Sequence, residues 1–273
     1  MRNYEDVPRT LKKVTDRMSE FIQRQCPVCK NIRPEFMVWV ESVGEVQRIL
    51  CKSCDTIYFD REPPYKPTYD KKYNLHFFRP GDIRKAGIMA AKLAELALSK
   101  WKHPSILEAG VGNGLTVFLL RAMGISAFGV DLDPNLSVYL MESFKIPVIT
   151  ARFEEFSPGV QYQLIYSSHV IEHCPRPFDF MKKAYDLLVE GGIFYLDTPD
   201  TYYFDKENKR WHHFETRDPY EHCCLLGRVG IRLLANETGF FLAKTERYGD
   251  FTSQQTILIR PKEENRKAIV KTA

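Results

Sequence analysis

Short apolar runs alternate with amphipathic stretches along the C-terminal two thirds of the chain. The apolar runs predict strands near residues 105–109, 126–131, 147–150, 162–167 and 192–197. The amphipathic stretches predict helices near residues 114–123, 134–144, 176–189 and 225–238. Because strands that alternate with helices favour crossover connections, this region is expected to form a parallel sheet of the α/β class.

The pattern extends this region at both ends. A long amphipathic helix is predicted from about Asp82 to Trp101, ahead of the first strand. Segments 240–248 and 255–260 are predicted strands, and the short segment 249–252 joins them. A joint of that length permits only an antiparallel pair, so the sheet is expected to end in an antiparallel hairpin.

The N-terminal part of the chain has a different pattern. Residues 1–22 carry apolar positions at helical spacing and predict a charged helix. Segments 36–40 and 46–50 predict a second hairpin. The prolines within segment 61–67 exclude regular helix and central strand, so this segment is expected to be a linker.

Length and composition limit the class of protein. A chain of 273 residues fits one catalytic domain with a small added module, and 44% hydrophobic with 27% charged residues is typical of a globular protein. The net charge of +4 permits an anionic partner without requiring one. No apolar run is long enough to span a bilayer and no secretory signal is visible, so we expect a cytoplasmic protein without membrane partners.

Four of the seven cysteines form a recognisable pattern. They make two CxxC motifs 21 residues apart, Cys26 with Cys29 and Cys51 with Cys54. Each motif supplies two thiolates from one tight turn, and two such turns complete a tetrahedral zinc site. The alternative, a pair of disulfides, needs an oxidising compartment that nothing else in the sequence indicates. The pattern predicts a small N-terminal zinc ribbon with a structural Zn2+.

A glycine-rich turn follows the first predicted strand of the α/β region. Gly110, Gly112 and Gly114 alternate, which lets the backbone pass close to a ligand. The dinucleotide fingerprint needs glycine at its first, third and sixth positions. In this turn the glycines occupy the first, third and fifth positions. Glu108 stands two residues ahead of the turn, where its charge would oppose a pyrophosphate but suit an ammonium group.

These motifs resemble the class I S-adenosylmethionine-dependent methyltransferases over roughly residues 69–260. The acid and three alternating glycines match motif I, Asp131 ends the second strand, segment 164–173 matches the signature after the fourth strand, and segment 188–194 matches the turn into the fifth. The resemblance implies a Rossmann-like class I methyltransferase fold. Its sheet would have seven mostly parallel strands with a C-terminal antiparallel hairpin, beside the zinc ribbon.

The resemblance also implies a binding site for S-adenosyl-L-methionine. Asp131 would bind the ribose hydroxyls, and Phe153 with Glu154 would meet the adenine. The full set of implied cofactor-binding residues is Glu108, Gly110, Gly112, Gly114, Asp131, Leu132, Phe153, Glu154, Ser168 and His169. The aromatic segment 69–78 is either a lid over the cofactor, as in members of this family, or a linker docked on the core.

Several histidines are candidates for the base that takes a proton from the methyl acceptor. His222 precedes the last helix, where many family members carry a histidine facing the substrate, and Glu221 beside it is a second acid-base candidate. His173 ranks next, because in the matching signature this histidine often contacts the cofactor. The predicted catalytic set is therefore His222, Glu221 and His173, with simple packing of these side chains as the alternative.

The leading functional hypothesis is a methyltransferase for a small-molecule acceptor, such as a sugar or biosynthetic intermediate. The alternatives are an RNA base methyltransferase that uses the ribbon to recognise RNA, and a non-catalytic module that only binds the cofactor. The expected domains are an N-terminal helix and ribbon at 1–60, a linker, lid segment and helix at 61–102, and the methyltransferase domain at 103–273. The methyl acceptor and the oligomeric state are left open by the sequence.

Overall fold

A computed structural model describes residues 24–43, 46–61, 80–205, 210–211, 222–247 and 253–264. The predicted helix at 1–22, most of the predicted linker, the aromatic segment 69–78 and the joint at 249–252 lie outside the described residues. None of the described helices combines the length and apolar character needed to cross a membrane.

The larger sheet has seven strands. They are β4 (Ser105–Ala109), β5 (Ser126–Asp131), β6 (Val148–Thr150), β7 (Tyr162–Ser168), β8 (Leu188–Pro199), β12 (Phe241–Arg247) and β13 (Ser253–Ile259). Their order is β12-β13-β8-β7-β4-β5-β6, with parallel pairing from β8 to β6. β13 runs antiparallel to both β8 and β12, so the predicted fold class and the C-terminal hairpin are confirmed.

Helices cover the faces of this sheet. They are α1 (Pro80–Leu98), α2 (Leu115–Ala122), α3 (Pro134–Phe144), α4 (Pro177–Leu187) and α5 (Arg228–Thr238). α1 buries a row of alanines and Leu93 in the same apolar core as Ile106 of β4 and Val117 of α2. The strand order reverses at β4, which places a crevice beside the carboxyl ends of β4 and β7.

The N-terminal module is a second, antiparallel sheet. Its own strands are β1 (Met37–Val43), β2 (Val46–Cys51) and β3 (Thr56–Phe59), which confirms the predicted hairpin and adds a third strand. A fourth strand, β11 (Cys224–Leu225), comes from the α/β region and pairs with β3. Separately, the short strands β9 (Phe204–Asp205) and β10 (Arg210–Trp211) pair antiparallel with each other.

Predicted boundaries differ from the structure at two places. The helix predicted at 176–189 ends at Leu187, because residues 188–191 already belong to β8, which was predicted only at 192–197. The last predicted helix was expected from residue 225, but residues 224–225 form β11 and α5 begins at Arg228. Leu225 is 1% exposed and packs with Leu50 and Ile57 of the ribbon sheet. Apolar residues beside a helix are ambiguous from sequence alone, because both a helical turn and a short buried strand accept them.

Candidate functional site: a cofactor crevice and a histidine cluster

The glycine turn between β4 and α2 has the left-handed backbone that its sequence predicts. Gly110, Gly112 and Gly114 have φ angles of 76°, 51° and 74°. A Cβ on Gly110 would lie 2.2 Å from Cγ2 of Val170, and one on Gly114 would lie 2.9 Å from Cδ1 of Ile146. Gly110 therefore requires glycine for space as well as for its dihedral angle, whereas at Gly114 the nearby atom is the flexible end of a side chain and the dihedral angle is what favours glycine.

Asp131 is fixed to the glycine turn from the end of β5. The amide of Gly112 donates to its Oδ2 at 3.2 Å, and the amide of Asp133 donates to its Oδ1 at 3.0 Å. Burial raises the pKa of Asp131. The carboxylate is thus held in place at the edge of the crevice, where an acid is expected to bind a ribose diol.

Glu108 lies deeper in the same crevice. Its side chain is 5% exposed, and its Oε2 has no hydrogen-bond partner among the described residues. The carboxylate does accept bonds from the Val117 amide and the Thr116 hydroxyl. Burial, together with the charge of Asp131, raises the pKa of Glu108 well above its usual range. A buried acceptor oxygen of this kind fits a cationic ammonium group.

The crevice is a cavity of about 470 Å³, within the usual range for a cofactor site. The predicted cofactor residues that line it are Glu108, Gly110, Gly112, Asp131, Ser168 and His169. A smaller cavity of about 90 Å³ adjoins it and includes Asp131, Leu132, Phe153 and Glu154 in its lining. Gly114 lines neither cavity and instead forms the cap of α2. Nine of the ten residues that the resemblance assigned to S-adenosylmethionine therefore line these two adjoining cavities.

A histidine cluster lies at the end of β7, beside this crevice. Glu172 is its centre and is fully buried. The hydroxyl of Thr198 donates to Oε2 of Glu172 at 3.0 Å. Oε1 lies 3.3 Å from Nδ1 of His169. Burial alone would raise the pKa of Glu172, but its interaction with His169 and the charges of His173 and His222 lower it to about 2.

His169 has an unusual backbone and two polar neighbours. Its φ angle is 54°, and its amide donates to the Asp197 carbonyl at 2.9 Å. Its Nε2 lies 3.3 Å from the Ser253 hydroxyl, while its Nδ1 faces Glu172. A non-glycine residue in the left-handed region is uncommon and is often found at functional sites. His169 lines both cavities and is thus held at the crevice by contacts on each ring nitrogen.

The predicted catalytic residues differ in whether they line the two cavities. His173 lines both cavities, and its ring lies edge-on to that of His222 with centroids 4.8 Å apart. His222 lines neither of these two cavities. Burial lowers the pKa of His222 to about 4, so the ring is neutral at physiological pH. Glu221 lies outside the described residues.

The four ribbon cysteines converge as predicted. Sγ of Cys26 lies 3.5 Å from Sγ of Cys54, and Sγ of Cys29 lies 3.5 Å from Sγ of Cys51. All four sulfurs lie within 4.8 Å of one another. A tetrahedral zinc site with Zn–S bonds of about 2.3 Å has sulfurs about 3.8 Å apart, so the cluster fits Zn2+. The remaining cysteines, Cys174, Cys223 and Cys224, are unpaired thiols.

Sequence reasoning missed the partners that surround the histidines. Glu172 belongs to the signature that the resemblance used, but the sequence assigned it no role. Thr198 and Ser253 come from β8 and β13, far from the signature in sequence. Polar residues inside otherwise apolar strands are the only signal in the sequence that pointed to them.

Comparisons with known proteins agree with this geometry. Residues 82–244, more than half of the chain, match the family model described as a methyltransferase domain. The chain belongs to this family, and its sheet order and acid-glycine turn make it a class I S-adenosylmethionine-dependent methyltransferase.

Individual relatives are distant. The ubiquinone biosynthesis O-methyltransferase of Paramagnetospirillum magneticum is 28% identical over 147 residues, which cover 50% of this chain and 55% of that protein. The protein of the same name from Pseudomonas paraeruginosa is 25% identical over 159 residues, with coverages of 54% and 61%. The chain therefore spans little more than half the length of these curated relatives.

A solved structure is similar in fold. The PH0226 protein of Pyrococcus horikoshii OT3 superposes with a TM-score of 0.56 at 18% identity, covering 71% of this chain and all of that one. At this identity the likeness concerns the fold alone.

Proposed function

We propose that the protein transfers a methyl group from S-adenosylmethionine to a hydroxyl group of a small molecule. The observation that carries this proposal is the buried, unpaired Oε2 of Glu108 in a cavity that also holds Asp131. The distant relatives named as O-methyltransferases support oxygen as the acceptor atom.

The chain's own residues would hold the cofactor at three places. Glu108 accepts hydrogen bonds from the ammonium group, and Asp131 accepts them from the ribose hydroxyls. Phe153 and Glu154 line the smaller cavity, which suits the flat face and amino group of adenine. When bound, S-adenosylmethionine supplies an electrophilic methyl carbon on a sulfonium. Much of the rate then depends on how well the protein holds the acceptor oxygen in line with that carbon.

A histidine of the cluster takes the proton from the acceptor. His222, Glu221 and His173 are the residues that the sequence proposes, and the geometry favours a fourth, His169. His169 lines the cavity, and the buried carboxylate of Glu172 stands beside its Nδ1. This arrangement orients the ring and stabilises the imidazolium that forms when Nε2 accepts a proton. His222, by contrast, lines neither of the two cavities, and its ring contacts that of His173.

The first experiment measures cofactor binding by calorimetry with S-adenosylhomocysteine. The wild-type protein is expected to bind it, and Glu108→Gln is expected to bind it about 10- to 100-fold more weakly, since a hydrogen bond to a charged group contributes about 1.5–3 kcal/mol. Glu142→Gln changes an exposed acid on α3 and serves as the matched control. Equal affinity in all three proteins would contradict the proposed site.

The second experiment measures turnover. Labelled S-adenosylmethionine is incubated with small phenols, catechols and hydroxy acids, and with bulk RNA as a competing class of acceptor. His169→Asn is expected to lower kcat at least about 100-fold, the usual contribution of a general base, and by a larger factor than it weakens S-adenosylhomocysteine binding. Label in RNA but in no small molecule would overturn the proposed substrate class.

A further inference from the structure

We infer that Glu172, His173 and His222 form a second metal site, distinct from the cysteine cluster, that binds a divalent transition-metal cation beside the methyl acceptor. The inference rests on the proposed function for the role of the cation. The site itself depends only on the geometry of the three side chains.

The first observation is their convergence. Each offers one ligand atom, and these three atoms lie within 4.8 Å of one another, the same limit that the four cysteine sulfurs satisfy. Glu172 and His173 come from the turn after β7, whereas His222 comes from the segment before β11. Two imidazoles and one carboxylate form a donor set that binds Zn2+, Fe2+, Mn2+ and Co2+.

The second observation is unused bonding capacity in the buried core of the cluster. Nδ1 of His222 is buried and has no hydrogen-bond partner among the described residues. Glu172 is fully buried beside it, with the Thr198 hydroxyl on Oε2 and His169 Nδ1 at 3.3 Å from Oε1. Leaving a buried ring nitrogen unsatisfied is costly, and a cation held between it and the carboxylate would satisfy it.

Simple ring packing explains less of this arrangement. Edge-on contact between His173 and His222 is an ordinary packing geometry, but it leaves Nδ1 of His222 without a hydrogen-bond partner among the described residues. Two imidazoles that meet beside a buried carboxylate match the donor set that a cation requires.

The third observation is access. His173 lines the cofactor cavity, so a cation held by these three residues would have its open coordination positions on the side of the cavity. Three protein ligands with an open position is the usual arrangement of a metal that acts on a substrate. Coordination of the acceptor hydroxyl would lower its pKa and orient its oxygen. His169 would then remove a proton from an already acidified group.

Cobalt titration tests the site directly. Co2+ is added to the full-length protein whose four cysteines already hold zinc, and binding is followed by visible absorption. The wild-type protein is expected to bind one equivalent with weak d–d bands and without thiolate-to-cobalt charge transfer, because the ligands are nitrogen and oxygen. His222→Ala and Glu172→Gln are expected to weaken Co2+ binding by more than about tenfold.

Controls separate loss of a ligand from loss of the fold. His103→Ala removes an exposed histidine and should bind Co2+ like the wild type. Glu172→Gln keeps the shape of the side chain, so it remains informative if His222→Ala does not fold. Each variant should retain its zinc and bind S-adenosylhomocysteine within about twofold of the wild-type affinity.

The two proposals fail in different ways. No Co2+ binding by the wild type, or equal binding by the Glu172 and His222 variants, would overturn the metal site while leaving the proposed methyl transfer intact. Co2+ binding that the variants lose, in a protein that does not bind S-adenosylhomocysteine, would support the metal site and overturn the proposed function.

Discussion

At the scale of single residues, the cofactor crevice buries two acids, and burial destabilises their charged forms. Burial raises the pKa of both Glu108 and Asp131, and the charge of Asp131 acts on Glu108 in addition. A buried carboxylate without a full set of partners lowers the stability of the folded chain. Such a carboxylate is useful only when a cationic ligand arrives, which gives Glu108 opposite effects on stability and on binding.

The first prediction concerns stability and pH. The pKa of Glu108 is higher in the folded chain than its ordinary value of 4.5, so its destabilising effect is absent well below pH 4.5 and grows as the pH rises above it. Glu108→Gln is therefore expected to raise the Tm of the ligand-free protein by a few degrees at pH 7.5. At strongly acidic pH the two proteins should unfold alike. Differential scanning fluorimetry across a pH series measures this difference.

The matched control is again Glu142→Gln, which should leave Tm unchanged at every pH. A lower Tm for Glu108→Gln at neutral pH would show that Glu108 already has a cationic partner in the ligand-free protein.

At the scale of elements, the two-residue strand β11 connects the ribbon to the site. Cys224 and Leu225 pair with Tyr58 and Ile57 of β3, directly after His222 in the sequence. The Cys223 thiol donates a hydrogen bond to the backbone carbonyl of Glu172, with the sulfur 3.6 Å from the oxygen. The zinc ribbon therefore supports the segment that carries His222, and its sheet is completed only by the α/β region.

The second prediction concerns this support. Cys29→Ser removes one zinc ligand, and loss of zinc should loosen β3 and with it β11, because structural zinc sites contribute directly to folding. Hydrogen exchange measured by mass spectrometry is expected to speed up by at least about tenfold at residues 222–227. Exchange in β4, at residues 105–109, should change much less.

Cys174→Ser is the control, since Cys174 is buried but distant from the zinc ligands in sequence and bonds the Val170 carbonyl. Unchanged exchange at 222–227 in zinc-free Cys29→Ser protein would show that β11 is held by the α/β region alone.

At the scale of the whole molecule, the ribbon and the α/β region share one core. A single cluster of buried side chains includes the ribbon cysteines, Leu107 of β4 and Phe240 after α5. Gly230 of α5 lies so close to the ribbon that an added Cβ would be 2.7 Å from the Thr56 hydroxyl and 3.3 Å from the Cys54 carbonyl. Two units that share buried contacts of this kind are expected to unfold together.

The third prediction tests this cooperativity by differential scanning calorimetry. The zinc-loaded protein is expected to unfold in one transition. Gly230→Ala should lower the Tm of that transition as a whole, because the new methyl group separates α5 from the ribbon. Gly87→Ala, in α1 where a Cβ meets nothing within 4 Å, should instead stabilise by about 0.5–1 kcal/mol. A separate transition for the ribbon would contradict the shared core.

Much of the fold could be predicted because its signals are local. The strand at 126–131 and the helix at 134–144 have the predicted bounds, since apolar runs, Pro134 and the capping Asp133 mark them within a few residues. The start of α5 was placed too early, and β3 and β11 were not predicted. Strands of two to four residues carry too little periodicity, and β11 exists only because β3 lies beside it.

The cofactor crevice could be predicted from local motifs, whereas the histidine cluster could not. The sequence by itself determined the acid-glycine turn, Asp131 and the cysteine pairs, because the spacing of each motif fixes its local geometry and its chemistry. Only the tertiary structure decided that Glu172 is buried among His169, His173 and His222, and that the rings of His173 and His222 are in contact. These relationships join strand ends far apart in the chain, and the packing of the sheet and the ribbon sets them.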